Sequence, residues 1–170
     1  ALVSIMETSH AGSDHILAEA LKLRDLLKFE FFFEDKELFL AEIQHILDLR
    51  CPGWKSRMEQ GRADLDSLGY VVAHGALRTF IEAYRIAAEV LMLNEGFEES
   101  DVKGFISRSV ALGRQMVLQQ RVLNEDTLTK LYFANAFKLA QSRGLLNQAA
   151  AAQRRAFREE LANLCDHLDY

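Results

Sequence analysis

One proline, Pro52, stands in 170 residues, and that scarcity constrains the fold more than any other feature of the chain. Proline ends or kinks helices and supplies the turns that sandwiches and barrels need at short intervals. With one proline and nine glycines the chain has few places to turn, so it is expected to run in long helices. The expected fold is all-α: a single helical-bundle domain of about six helices over residues 1–170. Residues 1–13 are expected to be a flexible lead-in, and one irregular loop, with room for a short helical turn, is expected near residues 51–67.

The spacing of apolar residues places the helices. A Gly-Ser-Asp turn at Gly12–Asp14 precedes the first, with Ser13 or Asp14 as its cap. Ile16, Leu17, Ala20, Leu21, Leu23 and Leu27 give it a near-helical face to about Lys28. Phe29–Phe33 then interrupts the pattern as an extended or irregular linker. Glu34 and Asp35 restart a helix with acids at its positive end, and Leu38, Phe39, Ile43, Ile46 and Leu47 form its expected buried stripe. Pro52-Gly53 stops it. A helix over about Tyr70–Asn94 carries the clearest apolar face, through Leu77, Phe80, Ile81, Tyr84, Ala87, Ala88 and Leu91. Gly96 gives its exit.

Three more helices follow at short intervals. Ser100 is the expected cap of one whose inner side holds Val102, Phe105, Ile106, Ser109, Gly113, Met116 and Val117. Asn124 is the expected cap of the next, which buries Leu128, Leu131, Tyr132, Ala136 and Leu139 and closes at Arg143-Gly144. The last runs from about Gln148 to Leu168 with Phe157, Leu161, Leu164 and Leu168 inward.

Composition removes several classes of function. A net charge of -5 argues against a nucleic-acid binder, which needs a basic field to meet phosphates. Cys51 and Cys165 are the only cysteines; they have no metal-ligand spacing and build no disulfide framework, which points to a reducing compartment. The longest stretch without a charged side chain, Ser67–Leu77, falls short of the roughly 20 apolar residues of a spanning helix. No charged segment followed by an apolar one opens the chain, so no secretory signal is read. A start at Ala1 suits a piece of a longer polypeptide.

Catalytic motifs are lacking. There is no Gly-x-Ser-x-Gly, Gly-rich phosphate loop, Cys-x-x-Cys or His-Glu-x-x-His. His10 and Asp14 are four apart, but a metal needs three or four convergent ligands, so no metal or cofactor is expected. His15, His45 and His167 read as surface residues and His74 as a cap or core residue. Glu98-Glu99 and Glu159-Glu160 read as solvated faces. Two features invite a functional reading. Phe29, Phe31, Phe32 and Phe33 put four aromatic rings in five residues, more than one face of one element can bury. Phe31, Phe32 and Phe33 are therefore the candidate binding residues, for a partner domain or a membrane interface. The arginines Arg108, Arg114 and Arg121, and Arg154, Arg155 and Arg158, read as solvated helix faces, with anionic lipid headgroups or an acidic partner as the functional alternative.

The block from Leu23 to Phe33 (LRDLLKFEFFF), followed by an acidic helix, resembles the C-terminal region of bacterial glycerol-3-phosphate acyltransferases of the actinobacterial type. So does Gly75 to Leu91 (GALRTFIEAYRIAAEVL), and Ala111 to Val117 (ALGRQMV), then Arg121-Val and Asn124-Glu, continue in the same order. The resemblance covers residues 21–168. It implies an enzyme that moves an acyl group from acyl-CoA or acyl-carrier protein to the sn-1 hydroxyl of glycerol 3-phosphate, at the cytoplasmic side of a bacterial inner membrane. In that family a His-x4-Asp motif of the upstream catalytic domain activates the hydroxyl. Five positions after His10, His15, His45 and His74 stand His15, Ala20, Arg50 and Thr79, and the chain ends before the position five after His167. A general base needs its orienting carboxylate within reach, so no catalytic role is carried onto any residue here. The resemblance implies a non-catalytic helical tail that packs on its own upstream catalytic domain and supports that domain's stability, membrane placement or oligomer contacts. The rival reading is the ligand-binding, dimerising half of a helical transcription regulator.

Overall fold

A computed structural model of the chain describes residues 13–59, 73–94 and 97–166. The protein is all-α: seven α-helices and two 3-10 turns are present among the described residues, with no strand. The helices are α1 (Ser13–Leu26), α2 (Lys36–Arg50), α3 (Trp54–Glu59), α4 (Ala73–Leu93), α5 (Val102–Leu118), α6 (Lys130–Ser142) and α7 (Ala151–Asp166). The 3-10 turns are Glu125–Thr127 and Gln148–Ala150. Contacts fall into two compact units, Ala1–His74 with Tyr170, and Gly75–Asp169.

In the first unit, α1 starts at Ser13 with Asp14 in its first turn. Both expected caps thus lie inside the helix. α1 buries Ile16, Ala20 and Leu26, and Leu27 follows it into the core. Asp35 caps α2, its side chain accepting from the Glu37 and Leu38 N–H groups at 3.0 Å, as the restart by acids implied. The buried stripe of α2 is narrower than expected. Leu47 is buried and Phe39 and Ile43 are half-buried, but Leu38 and Ile46 are exposed. The core at that end is closed instead by α3. Cys51 ends α2, Gly53 turns the chain at φ 77°, and α3 sends Trp54 and Met58 inward against Ile16 and Leu47. The expected loop near 51–67 is therefore helical over Trp54–Glu59, because two large apolar side chains four residues apart form one buried face. Residues 60–67 lie outside the described residues.

In the second unit, α4 is buried on nearly every side. Ile81, Tyr84, Ala87, Ala88 and Leu91 face the core as the spacing foretold, and Ala83, Ile86 and Val90 join them. The residues before Ala73 and the expected exit at Gly96 lie outside the described residues. α5 is capped one residue later than expected: Asp101, not Ser100, accepts the Gly104 N–H at 3.0 Å. Phe105, Ser109, Gly113 and Met116 form its buried side. Asn124 caps the 3-10 turn and not the helix itself, which begins at Lys130. α6 is rotated from expectation. Ala136 and Leu139 are buried as expected, but Leu131 is 61% exposed, while Phe133, Phe137 and Ala140 are buried. An aromatic relay explains the rotation: Phe97 meets Phe105 edge-on at 5.2 Å, and Phe105 meets Phe137 at 5.1 Å. Arg143 and Gly144, at φ 67°, close α6. α7 buries Phe157 and Leu161; Leu164 is half-buried, and Leu168 lies outside the described residues.

Candidate functional site

The aromatic block of the first unit is a knuckle organised by Arg24. After α1 the chain turns through Leu27–Phe31 and reaches Asp35 without regular structure. Arg24 Nη2 donates to the Glu34 carbonyl at 2.6 Å and Nη1 pairs with Asp25 at 3.0 Å. Its guanidinium carbon lies 5.8 Å from the centroids of both Phe33 and Phe39. Phe33 packs edge-on against Phe39 at 5.6 Å and against Phe31 at 6.2 Å. Phe33 is thus held inward, whereas Phe31 is 40% and Phe32 93% exposed. The three candidate residues separate into one that builds the knuckle and two that it presents. Lys28 lies over Phe29 at 5.2 Å.

The second unit holds a polar feature that matches no catalytic motif. Arg78, Glu82, Arg85 and Glu89 are spaced by four, three and four residues, which puts them on one stripe of an otherwise apolar helix. That spacing was the available signal. The stripe borders a cavity of ≈ 80 Å³ lined by Arg78, Glu82, Arg85, Gln120, Arg121, Leu123 and Cys165. Glu82 is buried; its Oε2 accepts the Thr127 hydroxyl at 3.1 Å and its Oε1 the Leu123 N–H at 3.5 Å. Arg121 Nη2 stands 3.7 Å from Glu89. Burial pushes the Cys165 thiol above its ordinary value, and the adjacent hydrogen-bonded Arg85 only partly offsets this.

The other arginines divide. Arg154 does not sit on a solvated face: it is buried, and its guanidinium donates to the carbonyls of Leu145 at 3.2 Å, Asn147 at 2.6 Å and Gln148 at 3.4 Å. It ties down the turn before α7. Arg108 bonds the Asn94 side chain and covers the Phe97 ring at 5.1 Å. Arg114 joins Lys103 and Lys130 around an open groove floored by Ile106, Val110 and Ala111. Arg155 is exposed and Arg158 half-buried. Glu160 pairs with Arg143 at 2.8 Å, so the Glu159-Glu160 face is not wholly solvated.

His15 and His45 are exposed; His10, His167 and the His74 side chain lie outside the described residues. Among the described residues no cluster of His, Cys, Asp or Glu could hold a metal ion, and no helix is long and apolar enough to cross a membrane.

Comparison with known proteins gives a consistent set of relatives. The family model for the glycerol-3-phosphate acyltransferase C-terminal region matches residues 1–149. Proteins carrying the name acyltransferase PlsB1 in Mycobacterium bovis and in Mycobacterium tuberculosis are each 32% identical over 173 residues, covering 95% of this chain. The chain spans 28% of the length of these relatives. No solved structure matches it.

Proposed function

Because the chain belongs to the family of glycerol-3-phosphate acyltransferase C-terminal regions, we propose that it is the accessory helical region of a bacterial acyltransferase. The enzyme transfers an acyl group from acyl-CoA or acyl-carrier protein to the sn-1 hydroxyl of glycerol 3-phosphate, in phospholipid synthesis. The reacting groups belong to the upstream catalytic domain. This region supplies no member of a His-x4-Asp pair and serves to seat the enzyme peripherally on the cytoplasmic side of the inner membrane. Family membership removes the transcription-regulator reading.

The observation that carries the membrane role is Phe32, whose ring is 93% exposed on a knuckle that Arg24 holds in shape. Phe31 stands beside it, and the same unit leaves Leu38, Ile46 and Leu49 exposed. An aromatic ring in water forgoes about 1.5–3 kcal/mol that burial would return. Aromatic side chains flanked by lysines such as Lys28 are favoured at the headgroup boundary.

The test is sedimentation of the chain with phosphatidylglycerol-containing vesicles. Replacing Phe32 by Ser is expected to lower partitioning by roughly tenfold, the equivalent of about 1.4 kcal/mol, with folding unchanged because the ring packs on nothing in the core. Unchanged partitioning, joined to a lower melting temperature of the full-length enzyme, would assign the knuckle to the catalytic domain instead.

A further inference from the structure

Membrane seating makes no use of the cavity between α4, the exit of α5 and Cys165. We propose that this cavity binds a phosphomonoester-type oxyanion, held by Arg78, Arg85 and Arg121 with the Gln120 amide as a neutral donor.

Charge is the first argument. Three guanidinium groups and one carboxylate line the cavity, with a second carboxylate, Glu89, 3.7 Å from Arg121, in a chain whose net charge is -5. Arg78 and Arg85 are seven residues apart on α4 and so share a face, and Arg121 comes from the segment after α5. Glu82 lies between the first two, but its two oxygens accept from Leu123 and Thr127 and brace that segment. Burial keeps Cys165 a neutral thiol, so it adds no anion. Guanidinium forks match the oxygens of a phosphate in pairs, which isolated ammonium groups do not.

Backbone geometry is the second. Gln120 has φ 57°, the one positive φ outside glycine among the described residues. It follows α5 in the position where glycine ordinarily reverses a helix end: its N–H bonds the Val117 carbonyl at 2.9 Å, and Arg121 N–H bonds that of Met116 at 2.8 Å. A residue with a side chain is strained there. The strain is borne by a residue that lines the cavity, and the same turn carries Arg121 back towards Glu89 on α4.

Size is the third. At ≈ 80 Å³ the cavity is several times the roughly 10–15 Å³ that a single water needs, room for one tetrahedral oxyanion. Any substituent would remain at the mouth, beside the exposed Leu123. A free phosphate ester and a lipid headgroup phosphate satisfy the same donors.

The experiment is calorimetric titration of the 170-residue chain in chloride-free buffer with inorganic phosphate. A parallel titration uses phosphatidylcholine vesicles with and without phosphatidic acid. Wild type is expected to bind phosphate saturably. Arg121→Gln should weaken it by about tenfold, the share of one charge-assisted pair, while Arg155→Gln, exposed on α7 away from the cavity, should leave it unchanged. The Arg121 side chain is 47% exposed, so its loss leaves the core intact, and Arg121→Lys should recover part of the affinity. Binding only to phosphatidic acid vesicles, lost in Arg121→Gln, supports the site with a headgroup as the source. No binding in either arm, or equal binding by Arg121→Gln and wild type, overturns it. The phosphate arm contains no membrane, so its failure is distinct from failure of the seating role.

Discussion

Glu82 and Thr127 lie 45 residues apart in sequence, yet the threonine hydroxyl donates to Glu82 Oε2 at 3.1 Å with both residues buried. The contact fastens the segment between α5 and α6 to the middle of α4. A hydrogen bond to a charged acceptor is worth more than a neutral one, about 1.5–3 kcal/mol. Thr127→Val keeps the shape and removes only the donor. The variant is expected to lose about 2 kcal/mol, seen as a lower urea midpoint at unchanged slope. A midpoint equal to wild type would show that the Leu123 N–H alone satisfies the carboxylate.

Gly113 marks a place where α4 and α5 meet directly. A Cβ added there would stand 2.3 Å from Leu128 Cδ2 and 3.1 Å from Ile86 Cδ1. Helix propensity alone predicts that Gly113→Ala stabilises by about 1 kcal/mol. The overlap predicts the opposite, since Leu128 must leave its rotamer and overpacking costs about 1–3 kcal/mol. We expect a net loss of about 1 kcal/mol, read as a fall in melting temperature. A rise would mean that Leu128 swings aside freely.

What the sequence disclosed follows from which interactions are local. Helix periodicity found the faces of α4 and α5 because Tyr84 and Phe105 are buried by the same three- and four-residue steps that reveal them. It placed Leu131 inward and passed over Phe133, because the rotation of α6 is set by Phe97 and Phe105, more than twenty residues upstream. It gives Trp54–Glu59 no more than a short helical turn within a loop, because Pro52-Gly53 hides a helix of only six residues. At the sites, the crowding of Phe29–Phe33 was visible, but not that Arg24 would hold Phe33 in and leave Phe32 out. The charged stripe of α4 was equally visible as a spacing. Its partners Thr127, Gln120 and Cys165 come from three later segments, and no local pattern joins them.

Arg154 shows how a charge on a helix can be structural. Its three carbonyl acceptors lie on the turn that leads into its own helix. The planar fork, and not the charge alone, lets one side chain reach all three. Arg154→Lys is therefore expected to cost about 1.5–3 kcal/mol despite keeping the charge, whereas Arg155→Lys, exposed one residue on, should be silent. Comparable urea midpoints for the two variants would reduce Arg154 to a simple cation.

Cys165 gives the pH dependence. Its folded pKa is raised, chiefly by burial, with Arg85 lowering it less than burial raises it. Between the ordinary thiol value and the raised folded value, the unfolded chain has lost the proton and the folded chain has kept it. The unfolded state then binds fewer protons, so stability falls as pH rises through that window and is fully present below it. In a Cys51→Ala background, the urea midpoint is expected to decline above the ordinary thiol range. Cys165→Ala should abolish that part of the decline. Alkylation by iodoacetamide offers an independent reading, because it follows the thiolate fraction and access to the sulfur. Cys165 should react far more slowly than a free thiol at neutral pH, with its rate still climbing where a free thiol has levelled off. Arg85→Gln removes the lowering influence and should push the alkylation profile further towards alkaline pH. A shift towards acid would contradict the assigned order of causes at this thiol.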